Sequence, residues 1–249
     1  MGKHFFMPEE RNGDIVTFTD ARAHHLGNVL RLRPGQEIIL CDGMETDYIA
    51  RAELLSRSQL KFSLFEAMPT NTELPIPITL VQGLPKGDKM DWIIEKAVEL
   101  GVSRIIPVYT EHTVVKLNDA AQRKHRFERI AVAAASQSMR GIIPVIDLPT
   151  SFENVAYLEP DNLCLVAHEK ETTVSIKSVL ASSSPRPISL WIGPEGGFSS
   201  NEIDELIKKN AITVTLGPRI LRSETAGLAA LAQITSSWDF CVFPKKETD

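Results

Sequence analysis

Two glycine-containing loops near the C-terminus carry the residue types best suited to binding and chemistry. The first spans residues 193–197 (GPEGG), and the second runs from residue 217 to Arg222. Glycines let backbone amides approach a ligand without an intervening Cβ. Glu195 offers a candidate proton acceptor, and the Arg222 guanidinium could meet negative charge that develops during a reaction. The two loops therefore predict a cofactor pocket with reactive groups at its rim.

Neither loop matches a known phosphate cradle. The chain contains no GxGxxG between a strand and a helix, and no GxxxxGK[ST]. The loops are poor in lysine, and their apolar side chains suit an adenine ring or a thioether better than a triphosphate. Those apolar residues are Ile192, Phe198, Ile220 and Leu221.

The first loop is expected to join a buried strand to a helix. Residues 188–192 form an apolar run typical of a strand that is buried on both faces. Ser199, with Glu202 three residues later, forms a capping box that opens a helix, and Asn210 can close it in the left-handed conformation.

The second loop repeats this plan. Alternation over residues 212–216 predicts a strand, and Ser223 is expected to cap a helix that carries Ala226, Ala230 and Ile234 on one stripe. Strand and helix patterns also alternate upstream, with strands at 78–81, 105–108 and 163–167, a helix capped by Asp88 and a long helix from about Asn118 to Arg140. This alternation predicts a parallel sheet covered by helices.

The first part of the chain is different in character. Up to about residue 68 it has short apolar runs broken by turn signals, which predict β-rich structure with one short helix capped by Asp20. Residues 68–77 contain three prolines and have the composition of a linker. We therefore expect two domains, at residues 1–70 and 74–249.

The strings IGPEGG and LGPRILRSETA resemble the SPOUT, or α/β-knot, methyltransferases, and specifically the RsmE family, which methylates N3 of a uridine in 16S ribosomal RNA. The resemblance covers nearly the whole chain, because residues 28–31, 86–90 and 137–140 follow in the family's order. It implies a C-terminal SPOUT domain with a trefoil knot, a small N-terminal PUA-like β-barrel for RNA docking, S-adenosylmethionine (SAM) as methyl donor, and a homodimer. An acidic residue is common in the family at position 136 and an arginine at position 112, so no role is carried over to Ser136 or His112.

Three strand ends that each finish in a loop define the expected SAM pocket. Its predicted lining is Val166, Ala167, His168, Ile192, Gly193, Gly196, Gly197, Leu216, Gly217, Ile220, Leu221, Thr225 and Ala226.

A methyl group leaves SAM by in-line attack, so the enzyme must mainly align donor and acceptor. Methylation at a pyrimidine carbon would require a nucleophile such as a thiolate, and none of the three cysteines lies in the loops. Nitrogen or ribose oxygen is the more natural target. The candidate catalytic residues are Arg222, nearest the charge on a deprotonated uracil, Arg140, holding phosphate or base, and Glu195. The alternative for Glu195 is that it holds its own glycine loop.

The net charge of −5 is unusual for an RNA-binding protein, but basic residues cluster between Lys116 and Arg140. The alternative is a solvated helix face. The predicted RNA contacts are Arg22, Arg31, Arg33, Lys86, Lys89, Arg123, Lys124 and Arg126.

Composition indicates an ordinary cytoplasmic protein. No apolar stretch approaches the ~18 residues of a membrane span, and the N-terminus lacks the apolar core of a signal peptide. Three widely spaced cysteines predict neither a disulfide framework nor a metal site. A homodimer is expected from the alanine-rich last helix and from an apolar group that follows it, Trp238, Phe240, Val242 and Phe243.

Two other functions remain open at this point. An RNA-binding ribosome assembly factor that has lost catalysis would bind RNA without SAM. A nucleotide-dependent oxidoreductase would bind nicotinamide, although it should then carry the missing dinucleotide fingerprint.

Overall fold

The computed structural model describes residues 3–29, 31–55, 59–114, 120–155 and 161–237. The chain divides into two compact units: the first is Met1–Glu73 with Ala135–Ile143, and the second is the remainder. The first change of unit falls inside the proline-containing linker that was expected to separate the domains. Residues 135–143, which the sequence assigned to the C-terminal domain, belong instead to the first unit.

The first unit is built on a curled sheet of six strands. In sheet order the strands are β1-β4-β5-β6-β3-β2, and all neighbours are antiparallel except β1 and β4. Inward-facing residues such as Phe18, Leu40 and Phe62 are completely buried and form its core. The strands are β1 (His4–Phe5), β2 (Arg11–Asn12), β3 (Ile15–Phe18), β4 (Glu37–Cys41), β5 (Thr46–Leu55) and β6 (Leu60–Pro69).

The predicted short helix of this unit is present. Helix α1 (Ala21–His24) begins after Asp20, whose carboxylate accepts the backbone N–H of Arg22 at 2.9 Å. The chain continues as a π-helical turn over His25–Val29. The prediction of a cap at Asp20 is confirmed.

The second unit is a parallel α/β sheet. Its seven strands are β7 (Ile78–Gly83), β8 (Arg104–Tyr109), β9 (Val145–Ile146), β10 (Thr150–Ser151), β11 (Leu163–Ala167), β12 (Ile188–Ile192) and β13 (Ile212–Val214). Its helices are α2 (Lys89–Glu99), α3 (Ala120–Gln137), α4 (Phe152–Val155), α5 (Ile176–Ala181), α6 (Ser200–Lys208) and α7 (Ser223–Ser237). The end of α3 lies in the first unit, and its predicted start near residue 118 lies outside the described residues.

The strand order brings the predicted loops together. The main path is β10-β8-β7-β12-β11-β13, with every pair parallel, and β9 pairs with β8. All five residues of β12 are buried, as expected for a strand covered on both faces. Parallel neighbours end at one edge of the sheet, so the loops after β11, β12 and β13 lie side by side. Ligands of open α/β sheets bind at this edge.

The helix caps were predicted with mixed success. Ser199 and Glu202 form the expected capping box of α6, and Asn210 closes that helix with a φ of 64°. Asp88 precedes α2, but its side chain makes no cap hydrogen bond. Ser223 is the first residue of α7 rather than its cap, because its hydroxyl is used in the contacts described below.

The trefoil knot stays a prediction.

No helix in the described ranges is both long and apolar enough to cross a membrane.

Candidate active site

The loops after β11, β12 and β13, with the start of α7, enclose a cavity of about 910 Å³. Most of the predicted cofactor residues line it: Ala167, His168, Ile192, Gly193, Gly196, Gly197, Leu216, Gly217, Ile220, Leu221 and Ala226. Val166 does not, because neighbouring strand residues face opposite ways and its side chain is buried in the core. Thr225 does not either, since α7 turns it to the exposed side while Ala226 faces the cavity.

Glycines shape the wall of this cavity. A Cβ on Gly193 would lie 3.0 Å from the backbone of Gly197, so the loop can fold this tightly only without one. Gly197 also has a φ of 68°, which other residues rarely adopt. Gly196 is constrained by a further contact, because a Cβ there would lie 2.9 Å from His112; the expected approach to a ligand stays a prediction. The His112 ring also lies against this loop, with Nδ1 2.9 Å from the Gly196 carbonyl oxygen.

Gly83, at the end of β7, is a further position that sequence reasoning missed. An added Cβ would lie 2.5 Å from both the ring and the nitrogen of Pro194, and 2.8 Å from the Gly193 carbonyl carbon. Because these atoms belong to the cofactor loop, a larger residue at position 83 would have to displace that loop. No local pattern indicates this contact, which joins residues far apart in the sequence.

Gly83→Ala should therefore weaken SAM binding by roughly tenfold or more, since overpacking by one methyl typically costs 1–3 kcal/mol. Titration calorimetry measures the effect. Gly27→Ala is the matched control, because a Cβ at Gly27 would meet only Leu60 at an ordinary 3.8 Å. Equal SAM affinity in the two variants would contradict the role given to Gly83.

A buried hydrogen-bond chain fixes the same loop. Gln82 is fully buried, and its Nε2 donates to the Ser223 hydroxyl at 2.9 Å; that hydroxyl donates in turn to the Gly193 carbonyl at 2.6 Å. The end of β7, the start of α7 and the cofactor loop are thereby held at fixed spacing.

Glu195 is engaged by other groups of the protein. Its carboxylate accepts the backbone N–H of Lys86 at 3.1 Å and the Lys89 ammonium at 2.9 Å. Burial acts to raise the pKa of Glu195, but the hydrogen bonds from Lys89 and from backbone amides, with the charge of Lys89, bring it below its ordinary value. These contacts agree with the alternative that Glu195 holds its loop, and they disfavour it as a proton acceptor.

A second carboxylate stabilises the loop after β11. Glu171 accepts the backbone N–H groups of Thr173 and Val174 and the Thr173 hydroxyl, and these bonds lower its pKa to about 2. The carboxylate is therefore ionised at neutral pH and keeps the loop closed on itself.

The rim of the cavity carries two arginines. Arg219 and Arg222 both line the cavity and are exposed, and neither forms an ion pair within the part of the chain that the structure describes. Between them, Ile220 is 89% exposed. Arg222 is thus exposed at the cavity, and its catalytic role stays a prediction; Arg219 shares its exposure and charge and offers a comparison.

Arg140 has a different environment from the one expected. It belongs to the first unit, where it is 3% exposed and its guanidinium pairs with Glu73. Glu73 also accepts the backbone N–H of Gly141 at 2.9 Å. A side chain buried in this way is not presented to a phosphate or a base, so the geometry gives Arg140 a structural role instead of the predicted catalytic one.

The remaining predicted RNA contacts fall into two groups. Several are already paired: Arg22 with Glu10 and Asp20, Lys89 with Glu195 and Glu224, Lys124 with Glu128, and Arg126 with Asp91. Arg31, Arg33, Lys86 and Arg123 are exposed and form no ion pair among the described residues. Lys116, which contributed to the basic cluster, lies outside those residues.

Two of the three cysteines are described, and both are buried. Burial raises the pKa of Cys41 and of Cys164 to about 12. Neither thiol lines the cavity. Neither of these two cysteines therefore supplies a thiolate in the cavity for attack on a pyrimidine carbon.

Comparisons with known proteins agree with this architecture. Residues 72–235 match the family model described as an RNA methyltransferase domain, and residues 18–65 match an RNA methyltransferase PUA domain. The first match spans most of the chain and includes the whole cavity.

Individual relatives extend the match over nearly the full length. The ribosomal RNA small subunit methyltransferase E of Bacillus subtilis is 41% identical over 231 residues, covering 88% of this chain and 89% of the relative. Its namesake from Synechocystis is 37% identical over 234 residues, covering 92% and 75%. A crystal structure of the Neisseria gonorrhoeae enzyme, described as bound to S-adenosyl methionine, superposes with a TM-score of 0.85 at 32% identity, covering 96% and 98%. The chain therefore belongs to the ribosomal RNA small subunit methyltransferase E family.

Proposed function

We propose that this protein transfers a methyl group from SAM to N3 of a uridine in 16S ribosomal RNA. The observation that carries the proposal is a glycine-walled cavity at the strand ends, with two exposed arginines on its rim that form no ion pair with the residues that the structure describes. The names of its relatives, and the SAM-bound structure of one of them, support the same reaction and cofactor.

The residues of the cavity suit SAM. Tight glycine turns expose backbone groups, and Ile192, Leu216 and Leu221 offer apolar surface for an adenine or a thioether. When bound, SAM supplies a methyl group activated by a positively charged sulfur. The loops align this group with the acceptor and exclude water, which is the main requirement of an in-line transfer.

The role of Arg222 follows from charge. Loss of the N3 proton spreads negative charge over O2 and O4 of uracil, and a planar guanidinium can donate paired hydrogen bonds to such an anion. The same guanidinium would be repelled by the sulfonium of SAM. Arg222 therefore acts on the uracil, where it stabilises the nucleophile.

The wider setting is part of the proposal. The N-terminal unit docks ribosomal RNA or the small subunit, with exposed Arg31 and Arg33 as candidate phosphate contacts. The enzyme works in the cytoplasm without a metal, as a homodimer. The apolar group at positions 238–243 that suggested the dimer lies outside the described residues.

Calorimetry with SAM and with NAD tests the proposed cofactor. We expect SAM to bind in the micromolar range common for enzyme ligands, and NAD not to bind. NAD binding without SAM binding would favour the oxidoreductase. RNA binding by a protein that does not bind SAM would favour the assembly factor.

A further inference from the structure

Lys89 joins three segments that are remote in the sequence. Its ammonium lies 2.9 Å from Glu195, in the loop after β12, and 3.2 Å from Glu224, in the first turn of α7. Lys89 itself is the first residue of α2. We refer to Lys89, Glu195 and Glu224 as the Lys89 cluster.

The cluster is placed to control the shape of the cavity. Lys89 and Glu195 both line it, and Glu224 is two residues from Arg222. The Lys86 N–H also donates to the Glu195 carboxylate and restricts it further. One cation thus holds the glycine loop and the start of α7 to the same helix terminus.

Charge explains why a cation must occupy this position. Without Lys89, Glu195 and Glu224 would be two neighbouring carboxylates with no positive charge between them, and like charges repel. Glu224 is only 16% exposed, so water screens it poorly. The hydrogen bond from Lys89 to Glu195 raises the pKa of Lys89 above its ordinary value, so the pair favours the charged ammonium.

We propose, resting on the function proposed above, that Lys89 is a positioning residue of the active site: it sets the spacing of the two cofactor loops and the place of Arg222. This role differs from the phosphate contact that the sequence suggested for Lys89. The two roles predict opposite behaviour towards SAM and RNA.

The main variant is Lys89→Met, which keeps an unbranched side chain and removes the charge. We expect SAM to bind roughly tenfold more weakly, and single-turnover methylation at saturating SAM and RNA to slow, because small misplacements of reacting groups are costly. The dependence of RNA affinity on salt should match wild type. A phosphate contact would instead leave SAM affinity intact and reduce the salt slope by almost one.

Lys96→Met is the matched control. Lys96 lies on the same helix, is 33% exposed against 34% for Lys89, and also pairs with two carboxylates, Glu95 and Glu99. It does not line the cavity. Its loss should leave SAM affinity and methylation at wild-type values, and Lys89→Arg should retain most of both, since a guanidinium can bridge two carboxylates.

A double-mutant cycle completes the test. Glu195→Gln with Glu224→Gln removes the charges that Lys89 holds, so adding Lys89→Met to this pair should have little further effect on SAM affinity. Additive losses, or wild-type SAM affinity in Lys89→Met, would overturn the proposal. If wild-type protein bound no SAM at all, the proposed function would fail first, and that result is seen before any variant is compared.

Discussion

Arg222→Ala should slow methyl transfer by roughly 10²-fold or more while leaving SAM affinity nearly unchanged. Removal of one preorganised electrostatic donor typically has an effect of this size. Arg222 is exposed at the cavity rim without an ion-pair partner among the described residues, so its loss breaks no ion pair in that part of the chain. Arg222→Lys should rescue little, because an ammonium cannot reproduce the planar pair of donors.

The measurement is single-turnover methylation at saturating SAM and RNA, which removes effects on binding. Arg219→Ala is the control. Arg219 lies in the same loop and lines the same cavity, and its replacement by alanine removes the same positive charge. Equal rates for Arg222→Ala and wild type would show that Arg222 does not act on the uracil. Equal losses in both variants would mean that only the summed positive charge matters.

Arg140→Ala should destabilise the N-terminal unit by about 3–5 kcal/mol, the usual effect of leaving a buried charge without its partner. The Arg140 side chain is 4% exposed and that of Glu73 is 11% exposed, so the carboxylate would remain in a poorly solvated site. This loss of stability should be measurable in the absence of RNA. It would also affect the chain segment that returns from the second unit, because Glu73 binds the backbone of Gly141 and Ile142.

Hydrogen exchange of the backbone amides in strands β1 to β6 measures this loss of stability in the N-terminal unit. Arg104→Ala is a suitable control, because the pair of Arg104 with Asp147 is on the surface, with the arginine 51% exposed, and such pairs contribute only about 0–1 kcal/mol. If Arg140→Ala kept wild-type protection from exchange and showed a shallower salt dependence of RNA binding, the result would contradict the structural role. It would instead support the phosphate contact that the sequence suggested.

Local patterns predicted those parts of the structure that depend on neighbours in the sequence. The capping box of Ser199 and Glu202, the left-handed Asn210 and the buried strand at 188–192 follow from short-range rules, and all three are present. The parallel sheet followed from the alternation of strands and helices. The position of the cavity followed from the general rule that ligands bind where parallel strands end.

Long-range partners were not predictable in this way. Ser223 looked like a helix cap from its local pattern. The pattern does not reveal that Gln82, which is remote in the sequence, donates a hydrogen bond to the Ser223 hydroxyl. Arg140 looked like a ligand contact because nothing near it in the sequence indicates its pairing with Glu73. The sequence also does not indicate that Lys89 and Gly83 contact the loop at residues 193–197. In each case tertiary contacts decided the role.

The central claim is that this cavity delivers a methyl group to a uridine base of small-subunit ribosomal RNA. Its most direct test is incubation of the wild-type protein with 16S ribosomal RNA or small subunits that lack the modification, and with SAM carrying an isotope-labelled methyl group. Mass spectrometry of the digested RNA should find the label on one uridine, at N3, and not after incubation with Arg222→Ala for the same time. SAM binding without transfer of label to either substrate, or label on a ribose or a pyrimidine carbon, would contradict the account.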